Sequence, residues 1–454
     1  MNDFSALRSE LRRVVRGQVI VSGDAGFDAA RTPWDAAVQQ RVRAVVEVAD
    51  AADVAALVSY ARKAGIGLAT QPLGHAPASF DDAILVRTKR LNGIDIDPHR
   101  RIARVEAGAL WGDVLAAAGK HGLTGLAGST TYVSTTGFTL GGGLSWFGRK
   151  HGFAANNVRA FDVVDSDGTP QRVTADSDPD LFWALRGGGG DFALVTALEF
   201  DLHPAPELYG GRILWPAARA TEVMAAFREV TATAPEELST WFSLMQFPPF
   251  PELPEPLRGL SAVAIDVTYL GGTAEAAGLL AAFDRIPGVI MDTRGQMDIA
   301  DLGDICAEPT EPTTALLHTE LFARFDEETA SALLAAAGPG TVAPLAVLQV
   351  RHLGGALSRP AETHGACGHL TEPYLLFMLG VLPFPELEGP ILERQRSVAR
   401  AVSSSLSGRK PFTLLSHGVP ADAAFPVETL DRLRAIKRSR DPEGVFRSNH
   451  PVLG

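Results

Sequence analysis

The chain has 454 residues, 46% of them hydrophobic, and a formal net charge of -12. That length supports two or three domains with their own cores, while the acidic balance, with no dense run of Lys and Arg, argues against a nucleic-acid partner. Two cysteines far apart in sequence, Cys306 and Cys367, argue against a disulfide scaffold, and with no apolar run of membrane-spanning length and no secretory signal among Asp3, Arg8, Glu10, Arg12 and Arg13, a cytoplasmic location is expected.

Residues 44–48 read as a strand, after which Asp50 caps a helix with Val54, Leu57, Val58 and Ala61 on one face, ended by Gly65 and Gly67. The strand 68–71 then delivers the chain to Pro72-Leu73-Gly74-His75, so a βαβ unit presents His75 on a loop. Residues 161–165 and 169–174 are predicted to pair around Asp167-Gly168. A helix starts at Asp178-Pro179 and stops at the four glycines from Gly187, and Leu198, Phe200 and Leu202 alternate with polar residues as a half-buried strand. The run His203-Pro204-Ala205-Pro206 breaks the pattern and marks a domain boundary.

Beyond it, strands alternate with Ala/Leu-rich helices. Val263, Ile265, Val267 and Tyr269 share one strand face, Thr273 and Asp326 each open a helix, and residues 374–382 form an apolar strand, which together describe an α+β domain with helices on one side, ending near residue 410. The proline-rich segment 247–254 reads as a substrate-facing loop or a surface linker. A C-terminal helix carries Leu430, Leu433 and Ile436 and ends at Asp441-Pro442.

Glycine clusters hold the chemistry. A backbone without Cβ lets N–H groups approach phosphate oxygens, which applies to Gly74 and to Ser129, Thr130 and Gly137 ahead of Gly141-Gly142-Gly143. Gly188, Gly190 and Ala193 match G-x-G-x-x-A, but a nicotinamide fingerprint runs from strand to helix, and here a helix precedes the glycines and a strand follows. His364, Cys367 and His369 are metal-ligand types without a completing partner, so no metal is expected.

Gly74-His75, Gly141-Gly142-Gly143, the segment from Leu181 through Arg186 to Gly190, and Asp441-Pro442-Glu443-Gly444 leading to Asn449 occur in the order that resembles the berberine bridge enzyme-like flavoproteins of the vanillyl-alcohol-oxidase and p-cresol-methylhydroxylase superfamily. The likeness covers residues 35–203 strongly and 425–451 moderately. It implies a two-subdomain FAD-binding domain over residues 1–203, a substrate domain with an antiparallel sheet over 204–410, and a segment 411–454 returning to the first domain. It implies FAD bound by Leu73, Gly74, His75, Ser129, Thr130, Val133, Gly137, Gly141, Gly142, Val195 and Asn449, with His75 bonded to the 8α-methyl group. Relatives with a second link use a cysteine eleven residues before the triple glycine; this chain has Thr130 there and both cysteines in the other domain, as in the singly attached branch. Leu73 stands where most relatives have glycine, Asp191 and Ala193 depart from Asn and Gly, and the tyrosine pair before the last helix is replaced around Phe425-Pro426-Val427.

The resemblance implies an FAD-dependent oxidase removing a hydride from an alcohol, amine or activated C–H of a small, rather apolar substrate, with Val133 lining the approach of dioxygen and specialised metabolism as the setting. A redox-neutral enzyme such as a cyclase is the alternative, and a non-catalytic binding module a third. Proton-accepting candidates are Tyr132, Tyr374, His318 with Glu320, and Arg351-His352.

Overall fold

The computed structural model describes residues 4–249, 251, 254–338 and 342–454. Phe250, Glu252 and Leu253 of the proline-rich segment lie outside the described residues, and its last proline, Pro254, leads into a short turn of 3-10 helix, Glu255–Leu257.

Two small sheets come first. One orders the strands Gln18–Val21, Ala44–Glu47, Ile84–Arg87, Leu68–Thr70 and Phe446–Arg447. The last four run parallel, which demands crossovers, and the helix Ala51–Ala64 supplies the first of them. Asp50 accepts the Ala52 and Asp53 amides at its start, and Gly65 closes it with φ 63°, as the sequence predicts. The fifth strand comes from the far end of the chain, so the C-terminus seals the sheet edge beside the strand that feeds His75.

The second sheet is antiparallel, in the order Ile94–Asp97, Ile102–Glu106, Leu194–Asp201, Val158–Val164 and Pro170–Val173. Leu194–Asp201 is central and its first half is buried on both faces, while from Leu198 on the expected alternation holds, with Leu198 and Phe200 buried and Glu199 and Asp201 partly exposed. Its breaker also does more than break, because His203–Pro204 pairs with Leu123–Thr124. The helix Pro179–Leu185, capped by Asp178, precedes the glycine run, and a strand follows it.

A larger eight-stranded antiparallel sheet contains Tyr209–Pro216, Ser261–Tyr269, Leu238–Gln246, Val347–His352, Tyr374–Val381 and Ala315–Phe322 in that lateral order. The helices Ala220–Thr233, Thr273–Asp284, Glu327–Ala337 and Glu388–Ala401 share one apolar core with Val263, Ile265, Val267, Leu348, Val350, Leu376 and Met378, so all four cover the same face. The opposite, inner face carries Arg212, Asp266, Trp241, Ser243, Gln349 and Arg351, and Trp241 packs into the core of the five-stranded antiparallel sheet. Burial on both faces is why Ala262 to Tyr269 shows no exposed position.

The C-terminal helix Val427–Arg440 buries Leu430, Leu433 and Ile436 in that same first core. Lys437 on its inner side is buried and donates to Asp441, the Asp191 carbonyl and the Phe446 carbonyl at 2.7 to 3.0 Å.

Candidate flavin and substrate site

His75 sits where three distant segments meet. The Trp34 and Asp35 amides donate to the Leu73 and Gly74 carbonyls, both at 2.9 Å. The Asn449 side chain donates to the Ala76 carbonyl, so this asparagine ties the C-terminus to the loop instead of capping a helix. Gly74 has φ 90°, and a Cβ there would lie 2.6 Å from Pro33 Cβ, so no other residue fits without moving the loop. The Trp34 indole stacks on the imidazole with centroids 4.3 Å apart and planes 10° from parallel. Both imidazole nitrogens are buried without a hydrogen-bond partner among the described residues, and burial lowers the His75 pKa to about 4. Such a ring stays neutral at pH 7 with a lone pair free, at a desolvation cost of about 1–3 kcal/mol that no partner in the protein offsets.

The second group of loops converges around the triple glycine. Ser134 caps the short helix Thr135–Leu140 by accepting the Gly137 amide at 3.2 Å, and the hydroxyls of Thr135 and Thr136 are buried without partners. The Gly189 amide donates to the Leu140 carbonyl at 2.9 Å, which brings the four-glycine run against Gly141 and Gly142. Phe412 lies over Gly189 and meets the His450 ring 5.8 Å away, linking this group to the Asn449 end of the His75 loop. The Thr130 hydroxyl accepts the Tyr132 amide in a turn, with Ser129 half-buried beside it. Val133 packs partly against the core and its carbonyl accepts the Trp111 amide, whereas Val195 is inside the core on the central strand. Orphaned polar atoms around a glycine-built cradle fit a dinucleotide that supplies the missing partners.

Cys367, in the stretch of sequence beyond residue 203, nevertheless comes up against these loops. It packs between Gly142 and Gly187, where a Cβ on Gly187 would sit 2.3 Å from its own Cβ. Burial pushes the thiol up to about 12, and its sulfur donates to Asn156 at 3.5 Å, so it is a protonated packing residue. Cys306 is buried, and its pKa is raised for the same reason.

The β-register separates the proton-accepting candidates. Tyr374 is paired with His352 and with Phe322, positions on the helix-packed face. Its hydroxyl bonds Thr231 at 2.8 Å and its ring packs on Phe325 and Phe227. His352 points the same way, stacked on Tyr374 at 5.2 Å with Nε2 at 3.0 Å from Arg149, and burial with the Arg149 charge lowers its pKa to about 3. Tyr374 is thus turned away from the inner face, and a catalytic part for it requires a substrate on the opposite side of the sheet, whereas His352 at the strand end also lines the small cavity that Arg351 borders. His318 and Glu320, opposite Met378 and Leu376, share that outward face, where Glu320 bonds His318 and Lys410. Tyr132 is half-buried on the loop between Thr130 and Val133, and its hydroxyl has no hydrogen-bond partner among the described residues. Among the described residues no group of three or more His, Cys, Asp or Glu side chains forms a metal-binding set.

Sequence reasoning did not find Trp34 or Gln349. Trp34 lies 41 residues from His75 with no periodic signal, and Gln349 becomes visible once alternation along 347–352 is anchored by Leu348 and Val350 in the helix-side core.

An FAD binding domain model matches residues 42–174. (R)-6-hydroxynicotine oxidase of Paenarthrobacter nicotinovorans is 27% identical over 465 residues, covering 96% of this chain and 97% of that protein. FAD-dependent monooxygenase FUP4 of Fusarium proliferatum (strain ET1) is 33% identical over 220 residues, which are 47% of this chain and 43% of that protein. Among solved structures, 6-hydroxy-D-nicotine oxidase from Arthrobacter nicotinovorans superposes with a TM-score of 0.83 at 24% identity, covering 96% of this chain and 98% of that one. Berberine bridge enzyme from Eschscholzia californica gives 0.83 at 17% identity, covering 98% of each chain. The fold is that of the p-cresol-methylhydroxylase-type FAD oxidases. The chain carries an FAD binding domain and is an FAD-dependent oxidoreductase, similar over nearly its whole length to an FAD-dependent oxidase.

Proposed function

We propose that this enzyme is an oxidase that holds FAD through one covalent bond, at His75, and oxidises an alcohol, amine or activated C–H of a small, rather apolar molecule, with dioxygen as electron acceptor and specialised metabolism as its setting. The observation that carries the reading is the His75 imidazole, neutral, stacked on Trp34 and buried with both nitrogens unpartnered on a loop that the C-terminus clamps. FAD, when bound, supplies a two-electron acceptor that dioxygen regenerates with release of hydrogen peroxide. Leu73, Gly74, Ser129, Thr130, Gly137, Gly141, Gly142, Asn449 and the backbone of Val195 form its cradle, and Val133 lines the approach of oxygen. The single attachment follows from chemistry: the Thr130 hydroxyl is a poor nucleophile, and the Cys367 thiol is protonated and bonded to Asn156. Residues 1–203 with 411–454 form the FAD-binding domain, and the inner face of the sheet in 204–410 covers the substrate. Of the residues able to accept the substrate proton, Tyr132 has the free hydroxyl.

The whole-length relative that carries the name oxidase supports this reading over a redox-neutral one. The test is the visible spectrum of purified protein before and after acid precipitation. Flavin should remain with the precipitate of the wild type and leave that of His75→Ala. Anaerobically reduced protein should recover its oxidised spectrum quickly in air. Free flavin in the wild-type supernatant, or a bleached form lasting many minutes in air, contradicts the covalent or the oxidase part respectively.

A further inference from the structure

The inner face of the large sheet carries one continuous polar chain across four strands. Arg212 Nε donates to Asp266 at 2.5 Å, Ser243 Oγ donates to the other Asp266 oxygen at 3.3 Å, and Gln349 Nε2 donates to Ser243 at 3.2 Å. Gln349 Oε1 then accepts from Arg351 Nε at 2.9 Å and Nη2 at 2.7 Å. These residues stand opposite or diagonal to one another in register, so the sheet itself fixes the spacing. Charge does not balance along the chain: Arg212 and Asp266 neutralise each other, and Arg351 makes no ion pair among the described residues.

Arg351 is nonetheless 92% buried by its 8% exposure. Its guanidinium lies 3.8 Å from the Trp241 ring centroid and 4.3 Å from that of Phe377, a sandwich that fixes its plane. Trp241 in turn stacks at 3.6 Å on Trp146, three residues beyond the triple glycine. With Nε and Nη2 committed to Gln349, the Nη1 amino group has no hydrogen-bond partner among the described residues. Arg351 lines a cavity of about 20 Å³ together with Ser145, Arg149, Ser239, Trp241 and His352, and no carboxylate stands in its wall. Arg149 is already engaged, its guanidinium donating to the carbonyls of Leu238, Ala234 and Pro235 and to that of Leu353. Burial lowers the Arg351 pKa, and the charges of Glu308 and Asp266 act against that shift without pairing with the guanidinium.

We infer that Arg351 is a substrate-specificity residue whose Nη1 group binds a carboxylate on an otherwise flat, apolar substrate, with Gln349 holding the guanidinium in place. The inference rests on reading the inner face as the substrate's side. The cavity holds one water-sized group, the size of a carboxylate oxygen.

The test uses the purified holoenzyme and an isosteric pair, benzoate and benzamide, followed in chloride-free buffer by the shift in thermal midpoint and by quenching of tryptophan fluorescence. Benzoate should bind the wild type at least tenfold more tightly than benzamide. Arg351→Met should lose about 10- to 100-fold in benzoate affinity, the range of a hydrogen bond to a charged group, and leave benzamide unchanged. Arg351→Lys should recover part of the loss. Equal binding of the two probes to the wild type overturns the inference without relying on any variant, since it means that water satisfies Nη1; benzoate bound equally by Arg351→Met overturns it too. Flavin content and acid-stable attachment, measured on the same samples, separate this outcome from failure of the oxidase reading. A yellow, covalently labelled protein that does not discriminate removes the carboxylate alone, whereas colourless protein removes the oxidase reading and still reports on Arg351 through its melting shift.

Discussion

At the scale of single residues, alternation along a strand decides which side chains can meet a substrate. Tyr374 satisfies its hydroxyl on Thr231 among helix-side aromatics. Tyr374→Phe should therefore leave turnover within twofold and cost about 1 kcal/mol of stability, the net worth of one hydrogen bond, read from urea denaturation. Tyr132→Phe should lower turnover by roughly 10²-fold or more, as loss of a general base does, with the melting temperature unchanged. Reversed results would place the proton acceptor on the helix side of the sheet. Sequence could name these tyrosines but not sort them. The run 374–382 is apolar at both parities, so nothing in it marks the inner face, and the deciding contacts with Thr231 and His352 come from other elements. The His75 loop was legible because its elements are local: a strand, an Asp-capped helix and a glycine stop in contiguous sequence. Trp34 was not legible, since stacking leaves no periodic trace.

At the scale of elements, the His75 loop is a clamp made from three pieces of chain, and its last piece is testable. Asn449→Ala removes the side-chain bond to Ala76 and leaves the parallel strand Phe446–Arg447 in place. The loop should then sample wider positions, and the fraction of protein with acid-stable flavin should fall severalfold while total bound flavin stays similar, as measured on freshly purified samples. An unchanged covalent fraction would mean that the amide bonds from Trp34 and Asp35 hold the loop unaided. A comparable clamp explains Asp191, which departs from the family's asparagine. Its carbonyl accepts from Lys437, and a carboxylate oxygen accepts the Val452 amide at 2.8 Å, so the C-terminal helix and tail are fastened to the glycine loop together. Lys437→Met should leave the Asp441 carboxylate buried without its cation and destabilise by about 3–5 kcal/mol, measured by chemical denaturation. The sequence showed the helix and its stop at Asp441-Pro442, but a buried lysine inside a basic helix looks like surface until its partners are folded around it.

At the scale of the molecule, acid should loosen the joint between the two cores before it touches either. His151 and His203 stack at 3.7 Å beside the short strand pair that closes the first lobe, and His352 abuts Arg149, which joins the triple-glycine segment to the end of the helix Ala220–Thr233. Burial lowers their pKa values to about 3, 4 and 3 respectively, against an ordinary 6.5, and a neighbouring cation adds to the effect at each. The unfolded chain therefore binds protons that the folded one refuses across the window from 6.5 down to 3–4. Stability contributed by the neutral rings is fully present above pH 6.5 and is lost as the pH falls, by up to about 1 kcal/mol per pH unit for each ring. Asp35 and Asp191, whose carboxyl pKa values burial raises, act in the opposite sense from the acid end and soften the fall there. Thermal midpoints should hold level from pH 8 to 7 and decline steadily from 6.5 to 5, in low salt and high salt alike because the cause is desolvation and not surface charge. The same rings should show no titration in native-state histidine NMR signals between pH 8 and 5. A ring titrating near 6.5 would mean that water reaches the joint, and the midpoint would then be insensitive to pH over that range.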